Sequence, residues 1–280
     1  MRGYVIADVF TDVPLQGNQL AVFGDGSGLS DELMQRTARE MNLSETVFVF
    51  PGEDGADARV RIFTPFAELP FAGHPVLGTA FVLAGGSGAS VVRLQTGVGV
   101  IPVALTREGD SVVFGEMEQR IPSPAPFDRA AEVLAALRVE RSELPIEVYE
   151  NGPVFVYVAL ESEAAVAAVA PDVAALTALG PVGVNCFAAS GAGCVKMRMF
   201  APSLGVIEDP ATGSAAGPLA LHLARHGVID FGRRVEIHQG DEIGRPSVLF
   251  ACVEGSADRV ERITVGGSAV IVARGEYRLD

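Results

Sequence analysis

The sequence predicts an α+β protein made of two pseudo-symmetric halves, each a β-roll or barrel wrapped around one central helix. Three observations support this prediction. Strand-like and helix-like segments alternate along all 280 residues. A pattern of an acidic residue, a proline and a glycine before an apolar segment occurs twice, 140 positions apart. The two apolar segments, PVLGTAFVLA and AAGPLALHLA, are apolar on nearly all sides, which is typical of helices surrounded by other structure.

The N-terminal half is expected to span residues 1–124. YVIADVF and LAVF are predicted strands. A helix is predicted from Ser30 to about Asn42, because apolar residues recur there at helical spacing. Strands follow at 46–50 and 58–63, then the first apolar helix near 74–85, then closely spaced strands up to Gly115.

The C-terminal half is expected to span residues 125–280. Residues 121–127 contain three prolines and are the predicted linker. A helix near 128–137, strands at 146–149 and 154–160, and alanine-rich helical segments to about residue 179 follow. Further strands are predicted at 182–188 and 195–200, then the second apolar helix near 213–226, and several closing strands.

The repeated pattern favours a duplicated unit. Glu68–His74 (ELPFAGH) aligns with Glu208–Ser214 (EDPATGS), and the preceding RIFTP at 61–65 resembles RMFAP at 198–202. Both matches occur in the same order, and each precedes a predicted helix. The alternative is a chance agreement of glycine and proline positions.

Composition excludes several classes of function. With 35 acidic and 21 basic residues, the net charge of −14 disfavours nucleic acid as a partner. Lys196 is the only lysine and does not follow a glycine, which excludes a Walker loop and disfavours a pyridoxal Schiff base. The longest uncharged stretch, 69–92, contains prolines and glycines that disfavour a membrane span, and Asp8 disfavours a signal peptide. We therefore expect a cytoplasmic protein with no membrane partner.

No metal or cofactor site is predicted. Cys186, Cys194 and Cys252 form no CxxC pair, so neither a disulfide framework nor a cysteine metal site is expected. The GxG at 191–193 has no third glycine in register, which argues against a Rossmann site. His222 and His226 have a spacing compatible with a metal, but no HExxH pattern or third ligand accompanies them. His226 is instead expected to complete the helix before a glycine.

The two helix starts are candidate anion sites. Gly73 and Gly213 allow close approach of a ligand, and a helix start presents unpaired N–H groups at the positive end of its dipole. Two such starts facing each other would form a cleft between the halves. The sequence therefore predicts a small-molecule carboxylate as the ligand.

Several side chains near these helix starts are candidates for chemistry. His74 is expected to direct its ring into the cleft, and a helix-capping histidine is the alternative. Glu45 follows a predicted helix and precedes a strand, so its carboxylate can point into a cleft. By sequence alone, however, a solvated loop acid is the more ordinary interpretation.

Each of the two repeated segments, Glu68–His74 and Glu208–Ser214, is called an elbow, and in the second elbow Asp209 is the candidate acid. Its rivals are the aligned Glu68 and Glu208, whose symmetric placement fits a structural role such as bonding to backbone N–H groups at the turn. Ser214 is either a helix N-terminal residue or a hydrogen-bond donor to a ligand.

The sequence resembles the PhzF family of phenazine biosynthesis proteins. The segments that carry the resemblance extend over nearly the whole chain: QGNQLAVF, MNLSETVFVF, RIFTPFAELPFAGHPVLGTA, IEVYENGP, VNCFA and EDPATGSAAGPLALHLARH. The resemblance implies the diaminopimelate epimerase fold, in which two similar halves are each built around a central helix. The family often forms homodimers, so a homodimer is expected.

The resemblance also implies an activity, the isomerisation of trans-2,3-dihydro-3-hydroxyanthranilate by moving a proton from carbon 3 to carbon 1, without a cofactor. Glu45 matches the family's general acid/base, while His74, Asp209 and Ser214 match groups that hold and polarise the substrate. Neither elbow contains a cysteine, so the two-thiol racemisation of the epimerase relatives is not expected. The alternatives are an isomerase of the same family for another amino or hydroxy acid, and a binding protein without catalysis.

Overall fold

Contacts within the chain divide it into two units, Met1–Glu118 with Gly266–Asp280, and Gln119–Val265. The structure is a computed structural model that describes residues 1–53, 55–191 and 193–279. The sequence predicted a division near residue 124. The contacts place it a few residues earlier and join the last strand to the first unit.

The helices and strands up to residue 119 follow the predicted alternation. In chain order they are β1 (Arg2–Val9), β2 (Asn18–Phe23), α1 (Asp31–Met41), β3 (Glu45–Pro51), β4 (Ala58–Phe63), β5 (Glu68–Leu69), α2 (Gly73–Ala84), β6 (Val91–Thr96), β7 (Gly99–Glu108) and β8 (Ser111–Gln119).

The remaining elements are β9 (Ser123–Pro126), α3 (Ala130–Leu137), β10 (Glu147–Glu150), β11 (Val154–Ala159), α4 (Glu163–Ala168), α5 (Val173–Ala178), β12 (Gly183–Ser190), β13 (Cys194–Ala201), β14 (Val206–Asp209), α6 (Gly213–Arg225), β15 (Val235–Gln239), β16 (Ser247–Gly255), β17 (Val260–Gly267) and β18 (Ala269–Tyr277). Strand β18 pairs antiparallel with β1.

Helix α1 shows how local sequence sets an element. The Ser30 hydroxyl accepts a hydrogen bond from the Leu33 N–H, which caps the first turn. Asn42 ends the helix with φ of 51°, a left-handed conformation that asparagine tolerates. Met34 and Ala38 are buried on one face, so the predicted helix and its core-facing side are confirmed.

Strand pairing follows one scheme in both units. In the first, β1–β2 is antiparallel, β2–β3 parallel, β3–β4 and β4–β5 antiparallel, β4–β6 parallel, and β6–β7 antiparallel. In the second, β10–β11, β11–β12, β12–β13, β13–β14, β13–β15 and β15–β16 repeat that order of pairings. In each unit an apolar helix follows the short antiparallel strand, so the structure supports the duplication that the repeated pattern predicts.

Each unit contains one central buried helix. Helix α2 packs against β1, β2, β3, β6, β7 and β18, and α6 packs against β11 and β16. A Cβ on Gly78 of α2 would lie 2.6 Å from a methyl carbon of Val9, so glycine is needed for this packing. A Cβ on Gly217 of α6 would lie 2.3 Å from Gln119 Oε1. The predicted arrangement of a sheet around one helix is thus confirmed within each unit.

The predicted linker at 121–127 is partly wrong, because Ser123–Pro126 forms β9 and pairs antiparallel with β10. Pro124 and Pro126 are two residues apart, so their missing N–H groups would both point to the same side of the strand. The opposite side keeps its donors and can still pair. Among the described residues, no helix is long and apolar enough to cross a membrane.

Candidate functional site

Glu45 and His74, two of the predicted site residues, lie against each other in the first unit. Glu45 is the first residue of β3, and His74 is the second residue of α2. Glu45 Oε2 lies 3.3 Å from His74 Nδ1, and the two side chains are only 15% and 5% exposed. The interpretation of Glu45 as a solvated loop acid is therefore wrong. The capping interpretation of His74 is also wrong, because Ala72 occupies the N-cap position.

Burial keeps the His74 ring neutral. It lowers the pKa of His74 to about 3, although a hydrogen bond to the backbone of Gln19 opposes this effect. The contact with Glu45 is thus a contact of a neutral ring with a carboxyl group rather than an ion pair. His74 Nε2 is buried and has no hydrogen-bond partner within the described part of the chain. One carboxyl group and one neutral imidazole therefore share a nearly dry environment, which suits proton transfer.

Asp209 and Ser214 belong to the second unit, on either side of the turn from β14 into α6. Asp209 and Ser214 are each 8% exposed, and the neighbouring Thr212 is 7% exposed. Asp209 Oδ2 accepts a hydrogen bond of 2.5 Å from the Thr212 hydroxyl. Gln239 of β15 bonds to both ends of this turn through its side-chain amide. The sequence analysis gave neither Thr212 nor Gln239 a role.

Gly73 and Gly213 are the first residues of α2 and α6, as predicted. Neither N-cap residue, Ala72 or Thr212, caps its helix with a side-chain hydrogen bond. The helix starts therefore keep backbone N–H groups and a positive dipole end that suit a carboxylate. The anion-binding character of each start stays a prediction.

Three buried donors surround the first turn of α6. Gln119 Nε2 donates to the Gly213 carbonyl at 2.8 Å, Asn151 Nδ2 to the Ser214 carbonyl at 3.0 Å, and the Tyr157 hydroxyl to the Ala215 carbonyl at 2.7 Å. A donor on a peptide carbonyl polarises that peptide and strengthens its N–H as a donor. Asn151 lies in the quoted segment IEVYENGP, but side-chain amides have no periodic pattern that would reveal their partners.

The aligned acids Glu68 and Glu208 have structural roles, but the predicted bonds to backbone N–H groups are wrong. Each instead forms a two-pronged ion pair with the arginine of the repeated Arg-x-Phe-x-Pro motif. Arg61 bonds to Glu68 at 2.7 and 2.6 Å, and Arg198 bonds to Glu208 at 2.9 and 2.8 Å. Two adjacent carboxylate oxygens match the fork of a guanidinium better than a turn N–H does.

A second polar cluster surrounds Glu147 Oε2 in the second unit. The Tyr149 hydroxyl, Arg225 Nη1, His222 Nδ1 and His226 Nε2 lie within 2.7–3.1 Å of this oxygen. Burial acts to raise the pKa of Glu147, but the hydrogen bonds from Tyr149 and His226 and the charge of Arg225 together hold it down at about 2. The ligand atoms of Glu147, His222 and His226 lie within 4.8 Å of one another. The sequence showed no third ligand beside the two histidines, and the structure places Glu147 in that position.

This cluster is compatible with a metal by ligand type, but a cation is already supplied. Arg225 Nη1 lies 2.8 Å from the oxygen that would bind the ion. His222 Nε2 is buried without a partner among the described residues, whereas a metal-bound histidine usually donates its other N–H to an acceptor. The cluster is better explained as a carboxylate surrounded by hydrogen-bond donors that hold the C-terminal end of α6 in place. His226 is the C-cap of this helix, as predicted.

The buried cysteine Cys186 is not suited to act as a nucleophile. Burial raises the pKa of the Cys186 thiol to about 12, so the thiol is protonated at neutral pH.

A cavity of about 490 Å³ in the first unit is lined by residues such as Asp25, Phe50 and Asp57, none of which is a predicted site residue.

Comparison with known proteins adds independent information. The family model for phenazine biosynthesis-like proteins (PhzC-PhzF) matches residues 7–275. The chain is 52% identical over 279 residues to the trans-2,3-dihydro-3-hydroxyanthranilate isomerase of Pseudomonas aeruginosa, covering 100% of both chains. It is 51% identical over 275 residues to the protein of that name from Pseudomonas chlororaphis, covering 98% of this chain and 99% of that one.

The solved structures include a PhzF-family phenazine biosynthesis protein from Bacillus anthracis, with a TM-score of 0.87, 25% identity and 99% of each chain covered. A probable proline racemase from Agrobacterium radiobacter has a TM-score of 0.69 at 13% identity, over 100% of this chain and 94% of that one, and shows the fold alone.

Proposed function

The chain belongs to the family of phenazine biosynthesis-like proteins, and we propose that it is an isomerase that acts on trans-2,3-dihydro-3-hydroxyanthranilate. The 52% identity over the full length to a protein of that name is the single observation that carries this proposal. The family that the sequence resembles is confirmed, and so is the epimerase-like α+β fold.

In the proposed mechanism, Glu45 is the general acid/base. Its carboxylate removes the proton at carbon 3, the ring double bonds shift, and the protonated carboxyl group returns the proton to carbon 1. The resulting enol then tautomerises to an aminoketone. The proton leaves and returns through one residue, so the reaction balances without an oxidant or reductant. The burial of the Glu45 side chain supports this role, because a dry carboxylate is a stronger base than a hydrated one.

His74 is proposed to hold and polarise the substrate as a neutral ring. The low pKa of about 3 supports this, because an imidazolium beside Glu45 would stabilise the carboxylate and weaken it as a base. We further propose that the substrate carboxylate binds to backbone N–H groups at Gly73 or Gly213, and that Asp209 and Ser214 bind its polar substituents. The unpaired helix starts and the donors around α6 support these assignments.

An NMR time course tests the proposal. Wild type, Glu45→Gln and the matched control Glu40→Gln, an exposed residue of α1 with the same change, are each mixed with trans-2,3-dihydro-3-hydroxyanthranilate. We expect wild type and the control to consume the substrate, and Glu45→Gln to be slower by a factor of about 10³ or more. Equal rates in Glu45→Gln would remove this residue from its role but keep the isomerase.

If folded wild type leaves the substrate unchanged, the proposed substrate is wrong, and another amino or hydroxy acid becomes the candidate. A screen of such acids in deuterated water, read by loss of a C–H signal, would then identify the substrate. The expected homodimer and the cytoplasmic location remain predictions of the sequence, and sedimentation of the purified protein would measure the first.

A further inference from the structure

A buried amide holds the turn that carries Asp209. Gln239, at the end of β15, is 1% exposed. Its Nε2 lies 2.7 Å from the Asp209 carbonyl oxygen and 3.0 Å from the Thr212 hydroxyl, and its Oε1 lies 3.1 Å from the Thr212 backbone nitrogen. The same hydroxyl lies 2.5 Å from Asp209 Oδ2. Three residues thus form one closed hydrogen-bond network.

The directions of these bonds follow from donor and acceptor counts. The Thr212 N–H can only donate and the Asp209 carbonyl can only accept, so the Gln239 amide has a single orientation, with Oε1 toward the former and Nε2 toward the latter. The second N–H of Nε2 then donates to the Thr212 hydroxyl oxygen. The hydroxyl hydrogen is consequently left to donate to Asp209 Oδ2. With this hydrogen in place, Oδ2 is an acceptor and carries no proton.

We propose that Thr212 and Gln239 are positioning residues that fix Asp209 as a hydrogen-bond acceptor, so that its ionised carboxylate binds a nitrogen donor of the substrate. This inference rests on the proposed function, in which Asp209 binds an amino acid. Two rigid bonds to the backbone of the turn hold its geometry, and one short bond to Oδ2 stabilises the charge.

Two cations of the neighbouring strand β13 pair with carboxylates other than Asp209. Glu208, its neighbour on β14, pairs with Arg198 of β13. Lys196 of β13 pairs with Asp241 and with Glu242, which follow β15. Each of these cations therefore has a carboxylate partner other than Asp209. The Thr212 hydroxyl, in contrast, donates directly to Asp209 Oδ2.

Thr212→Val tests the network, because valine keeps the shape of threonine and lacks the hydroxyl. We expect kcat/KM to fall at least 10-fold, and the acidic limb of its pH profile to move up by about one pH unit, because the ionised carboxylate loses a donor. Thr212→Ser keeps the hydroxyl and should keep the wild-type limb. The matched control is Thr37→Val, because Thr37 is also buried and its hydroxyl bonds to the Leu33 carbonyl. This control should lower stability without moving the limb.

A wild-type acidic limb in Thr212→Val would overturn the inference, and so would an equal shift in Thr212→Ser. A structural role alone would change the melting temperature and leave the limb in place. Gln239→Met provides a second variant, in which we expect the acidic limb of the pH profile to move in the same direction as in Thr212→Val. The double variant should be less than additive, because both changes break one network.

A second measurement separates this inference from the proposed function. Carbon NMR of protein labelled at aspartate carboxyl groups, with Asp209→Asn to identify the Asp209 signal, follows the titration without any substrate. We expect its midpoint to move up in Thr212→Val and to stay in Thr212→Ser. If wild type fails to isomerise the substrate but this shift occurs, the proposed function is wrong and the network stands. If wild type isomerises the substrate and no shift occurs, the network is refuted.

Discussion

Acidification should destabilise this protein strongly between pH 7.5 and 5.0, and His222 should account for a measurable part of the loss. His222 is fully buried in α6, where its ring stacks on Tyr157. Burial, and next the neighbouring His226, lower the pKa of His222 from 6.5 to about 4. Burial likewise lowers the pKa of His74 from 6.5 to about 3. Both rings are therefore neutral in the folded protein near neutral pH.

The sign follows from proton binding. Because the folded state has the lower pKa, the unfolded state binds more protons below pH 6.5, and the free energy of unfolding falls as the pH falls from 6.5 toward the folded values. At pH 5.0 an unfolded histidine is about 1.5 units below its pKa, so each buried ring lowers the free energy of unfolding by about 2 kcal/mol. The size is insensitive to the folded value, provided that this value lies well below 5. The two rings together predict a loss of about 4 kcal/mol.

Denaturant unfolding at pH 7.5 and 5.0 measures this loss. His222→Phe removes the titrating ring and keeps an aromatic side chain among Tyr149, Tyr157 and Phe187. The variant should be less stable than wild type at pH 7.5, because Glu147 loses a donor, but should lose about 2 kcal/mol less on acidification. His238→Phe, at a residue whose side chain is 44% exposed, is the control and should behave as wild type. Equal losses in His222→Phe and wild type would refute the reasoning.

Three further predictions concern the repeated ion pairs and the surroundings of helix α6. Arg198→Met should lower the free energy of unfolding by about 3 to 5 kcal/mol, because it leaves the Glu208 carboxylate, whose side chain is only 11% exposed, without its cation. The same change at the more exposed Arg61 should cost about 1 kcal/mol, and parallel denaturant titrations compare the two variants. Gly217→Ala should cost about 1 to 3 kcal/mol, because its Cβ would lie 2.3 Å from Gln119 Oε1, and a drop in melting temperature measures this. Asn151→Ala should raise KM about 10-fold with a smaller effect on kcat, because the Ser214 peptide loses a donor, and steady-state kinetics separates the two.

Local patterns in the sequence were sufficient for much of the fold. The serine cap and the asparagine end of α1 are set within a few residues, and so are the glycines that begin α2 and α6. The duplication was visible because proline, glycine and arginine recur at fixed positions that the backbone requires. Strand β9 was missed because three prolines indicate a linker. Prolines are tolerated in a strand when the side that lacks N–H groups faces away from the partner, and the sequence does not reveal where the partner strand lies.

The candidate site was only partly predictable, for a different physical reason. Glu45 and His74 meet because β3 and α2 are packed in one unit, yet Glu45 alone resembles a surface acid. Gln239 bonds to a turn roughly thirty residues earlier in the chain, and Asn151 bonds to a carbonyl still farther away. Side-chain bonds to distant backbone leave no period in the sequence. Their partners become visible only when the tertiary structure brings them together.

The repeat itself explains which residues the alignment of the halves could reveal. The positions that match across the halves are those of the frame, namely the Arg61–Glu68 and Arg198–Glu208 pairs, each with its guanidinium near 5 Å from a phenylalanine ring. The positions that differ include the proposed site residues, because Leu69, Ala72 and His74 align with Asp209, Thr212 and Ser214. A duplicated frame can present different side chains only where the two copies have diverged. The proposed backbone donors Gly73 and Gly213 match across the halves, whereas the proposed side-chain groups differ between them.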